Sequence, residues 1–218
     1  MKENNMPIKW TVLNIGAISR NRFWGEDDSR PYRKGVVCTS TVIVNGDDVI
    51  VVDPPVAGEE MERLLYFRCG LKAGDVTKVF ATHSHGDHIV GMECFPGAEW
   101  LMPPRELETF TASGHRLAAR FKPAGDEVSP GVRLLPLPGH TPGLAGLLYE
   151  AAEGRVAVVG DGAMTRDFFV HRAGYFNSVD FDEAARSIER LSGLADVVVP
   201  GHDNAFSVAA TKPPSLRA

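Results

Sequence analysis

The run Thr82-His83-Ser84-His85-Gly86-Asp87-His88 sets three imidazoles and a carboxylate within six residues, directly after the apolar, strand-like stretch Val76 to Ala81. Neutral imidazole and carboxylate are ligands that zinc, iron and manganese accept. Alternation after a strand lets His83 and His85 converge on one point while Asp87 and His88 turn toward a neighbouring one. A chain with this run has to fold so that a rigid strand end presents it, which reads as the floor of a metal site.

Further ligand candidates stand at what read as other strand ends. His140 follows Leu135-Pro136-Leu137-Pro138-Gly139, Asp161 follows Val156 to Gly160, and His202 follows Val197-Val198-Val199-Pro200-Gly201. In all three an apolar run is followed by glycine and then by the ligand, which suits loops held near a cation by a rigid scaffold. Asp53 ends the run Val49 to Val52 just before Pro54. It reads either as a turn residue closing that strand or as a group that orients a ligand histidine through its other ring nitrogen.

With 218 residues, 44% of them hydrophobic and 23% charged, one compact domain over 1–218 is the simplest organisation. A formal charge of -5 advertises neither a nucleic-acid nor a membrane surface. Nucleic acid stays open as a partner, because a local basic groove is compatible with that balance, and oligomeric state carries no mark in the sequence. No stretch approaches the roughly 20 apolar residues of a membrane span, so no membrane partner is expected. Met1 to Trp10 lacks the apolar centre of a signal peptide. Cys38, Cys69 and Cys94 show no paired spacing, as suits reduced thiols in the cytoplasm, with Cys38 and Cys94 expected in the core.

Turn residues Asn45 to Asp48 between apolar runs Val36 to Val44 and Val49 to Val52 predict a hairpin. Helices are expected over Gly58 to Cys69, stopped by Gly70, and over Phe181 to Leu191, capped by Asp180. The second places Phe181, Ala184, Ala185, Ile188 and Leu191 on its apolar face. Between Pro103 and Phe121 the helical period is weakened by Gly114. Strands are expected over Val76 to Ala81, Ala98 to Met102, Arg133 to Leu137, Gly146 to Tyr149, Val156 to Val159 and Val197 to Val199. Strand-rich halves with helices in each suggest two packed sheets covered outside by helices.

Two loops invite a substrate-side role. Residues 16–35 exceed the roughly 12 to 15 residues after which structureless loops become uncommon, and they carry Arg20, Arg22, Phe23, Trp24, Tyr32, Arg33 and Lys34. Residues 163–178 bring Phe168, Phe169, His171, Arg172 and Tyr175 after Asp161, while His115 reads as a surface histidine. The end Lys212-Pro213-Pro214 reads as a tail.

Taken in order, Asp53, His83-Ser84-His85-Gly86-Asp87-His88, His140, Asp161 and His202 resemble the five motifs of the metallo-β-lactamase fold hydrolase superfamily. Within it, Ala73 to Thr77, Phe95 to Ala98 and Ala195 to His202 most resemble the metallo-β-lactamase domain-containing protein 1 group. The resemblance implies an α/β fold, a four-layer αββα sandwich, with two divalent metal ions, zinc foremost, iron or manganese being alternatives. It implies that His83, His85 and His140 hold the first ion and that Asp87, His88 and His202 hold the second. Asp161 would bridge the two beside a hydroxide that acts as nucleophile, with Asp87 or Asp161 relaying the proton.

The expected function is metal-dependent hydrolysis of an ester-type carbonyl, a thioester or a lactone, in a small-molecule substrate that is anionic or develops an oxyanion. Alternatives are a phosphodiesterase or ribonuclease, which two metals also suit, and a mononuclear iron persulfide dioxygenase. Glyoxalase II-like enzymes add a C-terminal helical domain, and only sixteen residues follow His202 here. Quorum-quenching lactonases place tyrosine three residues beyond the bridging aspartate, where this chain has Met164. True β-lactamases usually lack that aspartate, so Asp161 speaks against antibiotic hydrolysis.

Overall fold

A computed structural model describes residues 7–26 and 36–211. Tyr32, Arg33, Lys34 and the run Lys212-Pro213-Pro214 lie outside the described residues. The strands are β1 (Lys9–Asn14), β2 (Ser40–Asn45), β3 (Asp48–Val52), β4 (Lys78–Phe80), β5 (Glu99–Met102) and β6 (Lys122–Pro123), then β7 (Glu127–Ser129), β8 (Val132–Pro136), β9 (Ala145–Ala151), β10 (Gly154–Gly160), β11 (Val197–Pro200) and β12 (Phe206–Ser207). The α-helices are α1 (Glu59–Cys69), α2 (Gly86–Ile89), α3 (Pro104–Ala112), α4 (Arg166–Val170) and α5 (Phe181–Leu194).

The strands form two sheets, ordered β1-β2-β3-β4-β5-β6 and β12-β11-β10-β9-β8-β7. Successive side chains of a strand point to opposite faces, and the core divides on that rule. Ile43, Ile50, Val52, Phe80 and Leu101 of the first sheet meet Leu147, Tyr149, Val156, Val158 and Val199 of the second. Their neighbours Val42, Val51, Val79, Trp100 and Met102 instead pack on Met61 and Leu65 of α1 and Phe110 of α3. On the far side, Ala157, Val159 and Val198 pack on Ile188 and Leu191 of α5 and Phe169 of α4. The result is the helix, sheet, sheet, helix layering expected of the chain.

The Asp180 carboxylate caps α5 by accepting from the Glu183 N–H at 2.8 Å. Ala184, Ile188 and Leu191 are buried as its period demands, whereas Phe181 in the first turn is 48% exposed. Gly70 closes α1 in the left-handed conformation. The hairpin strand begins at Ser40 rather than Val36, because Val37 and Thr39 bond elsewhere: Val37 to Ala17, and the Thr39 N–H to the carbonyl of Gly201 at 2.6 Å.

In the first sheet β3, β4, β5 and β6 run parallel, and in the second β10 and β11 do. Parallel neighbours end on the same side, so the segments after β3, β4, β10 and β11 gather at one rim. The loop after β8 reaches the same rim, where the Ala145 N–H donates to the carbonyl of Thr82.

Candidate metal centre

All seven ligand candidates meet at that rim in two groups. His83, His85, His140 and Asp161 form one and Asp87, His88 and His202 the other, with the ligand atoms of each group within 4.8 Å of one another. His85 Nδ1 lies 3.0 Å from His140 Nε2, which is 3.1 Å from Asp161 Oδ2. His83 Nε2 is 3.6 Å from the same Oδ2. The other oxygen, Asp161 Oδ1, lies 3.2 Å from both His88 Nε2 and His202 Nε2. Asp87 Oδ2 stands 3.4 Å from His202 Nε2 and 3.7 Å from His88 Nε2. One carboxylate therefore addresses one group with each oxygen.

Donors around a tetrahedral ion at roughly 2.0–2.1 Å are about 3.4 Å apart, and the spacings here bracket that value. His83 Nε2, His88 Nε2 and Asp161 Oδ1 are buried without a hydrogen-bond partner in the protein. Buried polar atoms are normally paired, so these unpartnered atoms, converging from separate loops, fit a divalent cation in each group.

On His83, His88 and His202 the other ring nitrogen is tied down. His88 donates from Nδ1 to Asp53 Oδ2 at 2.9 Å. Thr82 Oγ1 donates to the same oxygen at 2.7 Å and thus accepts from His83 Nδ1 at 3.1 Å. His202 Nδ1 donates to the Val37 carbonyl at 2.9 Å. Each of the three presents Nε2 to the site, as metal-ligating histidines do when their other nitrogen is held. Asp53 thus holds one ring nitrogen of His88 and also closes β3 with a positive φ of 50°.

Burial, with His88 and other imidazoles adding to it, holds His83 well below its ordinary 6.5. Burial and His140 lower His85 as well. For His88 burial acts the same way, but Cys38, Asp161 and Asp53 outweigh it and hold the ring well above 6.5. Burial is likewise outweighed at His202, chiefly by Asp161. Burial opposes ionisation of Asp161, yet His202, His88 and His140 together hold it well below the usual carboxylate range. Cys38 lies beneath this cluster with Sγ 3.0 Å from the Asp87 carbonyl, and burial pushes its thiol up to about 11. Cys94, also expected in the core, is half-buried.

Glycines let the strand ends close up. A Cβ on Gly201 would fall 2.1 Å from Asp161 Oδ1, and one on Gly160, where φ is 48°, would fall 2.3 Å from Thr82 Oγ1. His115 is exposed against Phe110.

The two loops dock on each other beside the metal groups. Asp167 Oδ2 accepts from Trp24 Nε1 at 2.8 Å and Asn21 Nδ2 at 3.1 Å, and Phe23 stacks on His171 at 4.2 Å. A cleft of about 110 Å³ over His85, Asp87, Asp161 and His202 is walled by Ile18, Ser19, Val36, Met164, Tyr175, Phe176 and Asn177. Of the residues singled out on 163–178, Tyr175 reaches that cleft. Phe168 and Phe169 are core residues and Arg172 pairs with Glu189 at 2.8 Å. A wider hollow of about 790 Å³ beside α1 has no ligand candidate in its lining.

Residues 33–202 match the family profile of the metallo-beta-lactamase superfamily, which is most of the chain. The chain belongs to the metallo-beta-lactamase superfamily. Among its superfamily relatives, human metallo-beta-lactamase domain-containing protein 1 is 34% identical over 145 residues, covering 64% of this chain and 52% of that protein. An N-acyl homoserine lactonase from a Bacillus species is 32% identical over 149 residues, covering 62% of this chain and 59% of the lactonase. The chain thus spans little more than half the length of these curated relatives. A probable metal-dependent hydrolase from Staphylococcus aureus has the same metallo-beta-lactamase architecture, with a TM-score of 0.72 at 16% identity, over 94% of this chain and 93% of the other. A quorum-quenching N-acyl homoserine lactone lactonase superposes with a TM-score of 0.70 at 22% identity, over 91% and 94%.

Sequence reasoning missed Glu106, which is buried among the site loops, and the only hint was its place in the first turn after Pro103-Pro104. Among the described residues no helix is long and apolar enough to cross a membrane.

Proposed function

We propose that this chain is a hydrolase that uses two divalent metal ions, zinc foremost, to cleave an ester-type carbonyl such as a lactone or thioester. The observation that carries the reading is Asp161, whose Oδ2 faces His140 and His83 while Oδ1 faces His88 and His202. His83, His85 and His140 would hold one ion, Asp87, His88 and His202 the other, and Asp161 both. Ions so held supply Lewis acidity toward a carbonyl oxygen and lower the pKa of water from about 15.7 to about 7.

The chain's own groups position and move protons. Asp161, held ionised at 4% side-chain exposure, fixes the spacing of the two groups. Asp87, 28% exposed at the cleft, would take up the proton that the attacking water gives up and pass it to the departing alcohol or thiol. Ile18, Val36, Met164 and Phe176 offer an apolar wall to the acyl portion, with Ser19 and Asn177 beside it. Two divalent ions against the carboxylates of Asp87 and Asp161 leave a positive centre, suited to an anionic small molecule or a developing oxyanion. Lactonases among the relatives support the carbonyl class. Two groups of candidate ligands favour two ions over a single iron held by two histidines and an aspartate, for which His88, His140 and His202 would be partly redundant.

The test combines elemental analysis with turnover of a lactone, a thioester and bis(p-nitrophenyl) phosphate. About two ions per chain and carbonyl turnover are expected, with kcat/KM falling about 100-fold or more in Asp161→Asn. Phosphodiester turnover without carbonyl turnover would overturn the substrate class, and one iron per chain with oxygen consumption would replace hydrolysis altogether.

A further inference from the structure

Glu106 lies in the first turn of α3 and is 1% exposed. Its Oε1 accepts from the backbone N–H of Ser84 at 3.0 Å and from the Ser84 hydroxyl at 2.7 Å. Oε2 accepts from the Thr141 hydroxyl at 2.7 Å. Ser84 stands between His83 and His85, and Thr141 directly follows His140. The loop beyond Thr141 also sits flush on the helix, since a Cβ on Gly143 would fall 2.2 Å from the Glu106 backbone nitrogen.

Burying a carboxylate costs several kcal/mol unless hydrogen bonds compensate it. Here three neutral donors do so, and all three belong to residues flanking one ligand group. Those residues come from opposite sides of the molecule, Ser84 following a strand of the first sheet and Thr141 following one of the second. The carboxylate therefore sets how far the His85 ring stands from the His140 ring, 3.0 Å apart at their facing nitrogens. In the group formed by Asp87, His88 and His202, no ring bonds to Glu106 or to its partners: Asp53 holds His88 and the Val37 carbonyl holds His202.

We infer that Glu106 is a positioning residue that clamps the two loops bearing His83, His85 and His140 and so sets the metal affinity of that group selectively. This rests on the two-ion reading of the site. Removing partners that orient metal ligands costs roughly 10- to 100-fold in affinity.

The test is chelator competition on zinc-loaded protein, with ions counted by elemental analysis, for wild type, Glu106→Ala, Glu106→Gln and the remote core variant Ile188→Val. In Glu106→Ala one ion is expected to be lost at about 10- to 100-fold lower chelator concentration, with the other held as in wild type. Glu106→Gln still accepts from Ser84 and can donate to Thr141, so its loss should be intermediate, and Ile188→Val should match wild type. Both ions retained at wild-type affinity in Glu106→Ala, or the same ion shed by Ile188→Val, would overturn the inference. Should Glu106→Ala not fold, wild-type affinity in Glu106→Gln overturns it equally. A wild-type chain that binds no zinc sinks the functional reading and this clamp together, whereas two ions held alike in all variants sinks the clamp alone.

Discussion

Asp53 concentrates three hydrogen bonds on one carboxylate. Its Oδ1 accepts from the Thr82 N–H at 2.8 Å, and its Oδ2 accepts from the Thr82 hydroxyl and from His88 Nδ1. It therefore orients His88 directly and His83 through Thr82. Asp53→Asn replaces an anionic acceptor with an amide, and zinc affinity is expected to fall about 10- to 100-fold, more for the group containing His88. Chelator competition checks this, and unchanged affinity would show the Nδ1 contact to be incidental. At this scale the ligand candidates were legible because three histidines in six positions have few other uses. Glu106 was not, because beside Arg105 and Glu108 a glutamate reads as part of a solvated helix face. Only the folding of two distant loops onto α3 reveals what it holds.

Among the elements, the strand ends converge because small residues let them touch. Gly160 has φ of 48° and no room for a side chain beside Thr82. Gly160→Ala is expected to destabilise the protein by about 1–3 kcal/mol from backbone strain and contact with Thr82, read as a lower denaturant midpoint at unchanged slope. A shift within about 0.5 kcal/mol would mean that the rim yields freely. Elements with strong local signals were legible: α5 from the Asp180 cap and its apolar period, α1 from the Gly70 stop, and the hairpin from its turn. Edge strands β6 and β12 were not, since they have two residues each and β6 includes Pro123. Such pieces are too short to show a period of two, and they pair only because a neighbouring strand is already in place. Helix α4 was hidden for a similar reason, being five residues inside what reads as a loop.

For the molecule as a whole, the two groups differ in how they carry protons. His83 and His85 lie below 6.5 and are neutral at pH 7, ready to ligate, whereas His88 and His202 lie above it. Zinc binding should therefore release protons drawn from His88 and His202, more of them as the pH is lowered. Calorimetry in buffers of different ionisation enthalpy measures that number, and zero release would contradict it. In the metal-free protein these two rings contribute stability that is fully present below 6.5 and is lost as pH rises through their raised folded values.

Each ligand group draws on both halves of the sandwich. His83, His85, Asp87 and His88 follow a strand of one sheet, while His140, Asp161 and His202 follow strands of the other. A cation in either position would thus be a rivet through the seam, and the cohesion of the sandwich would rise with its occupancy.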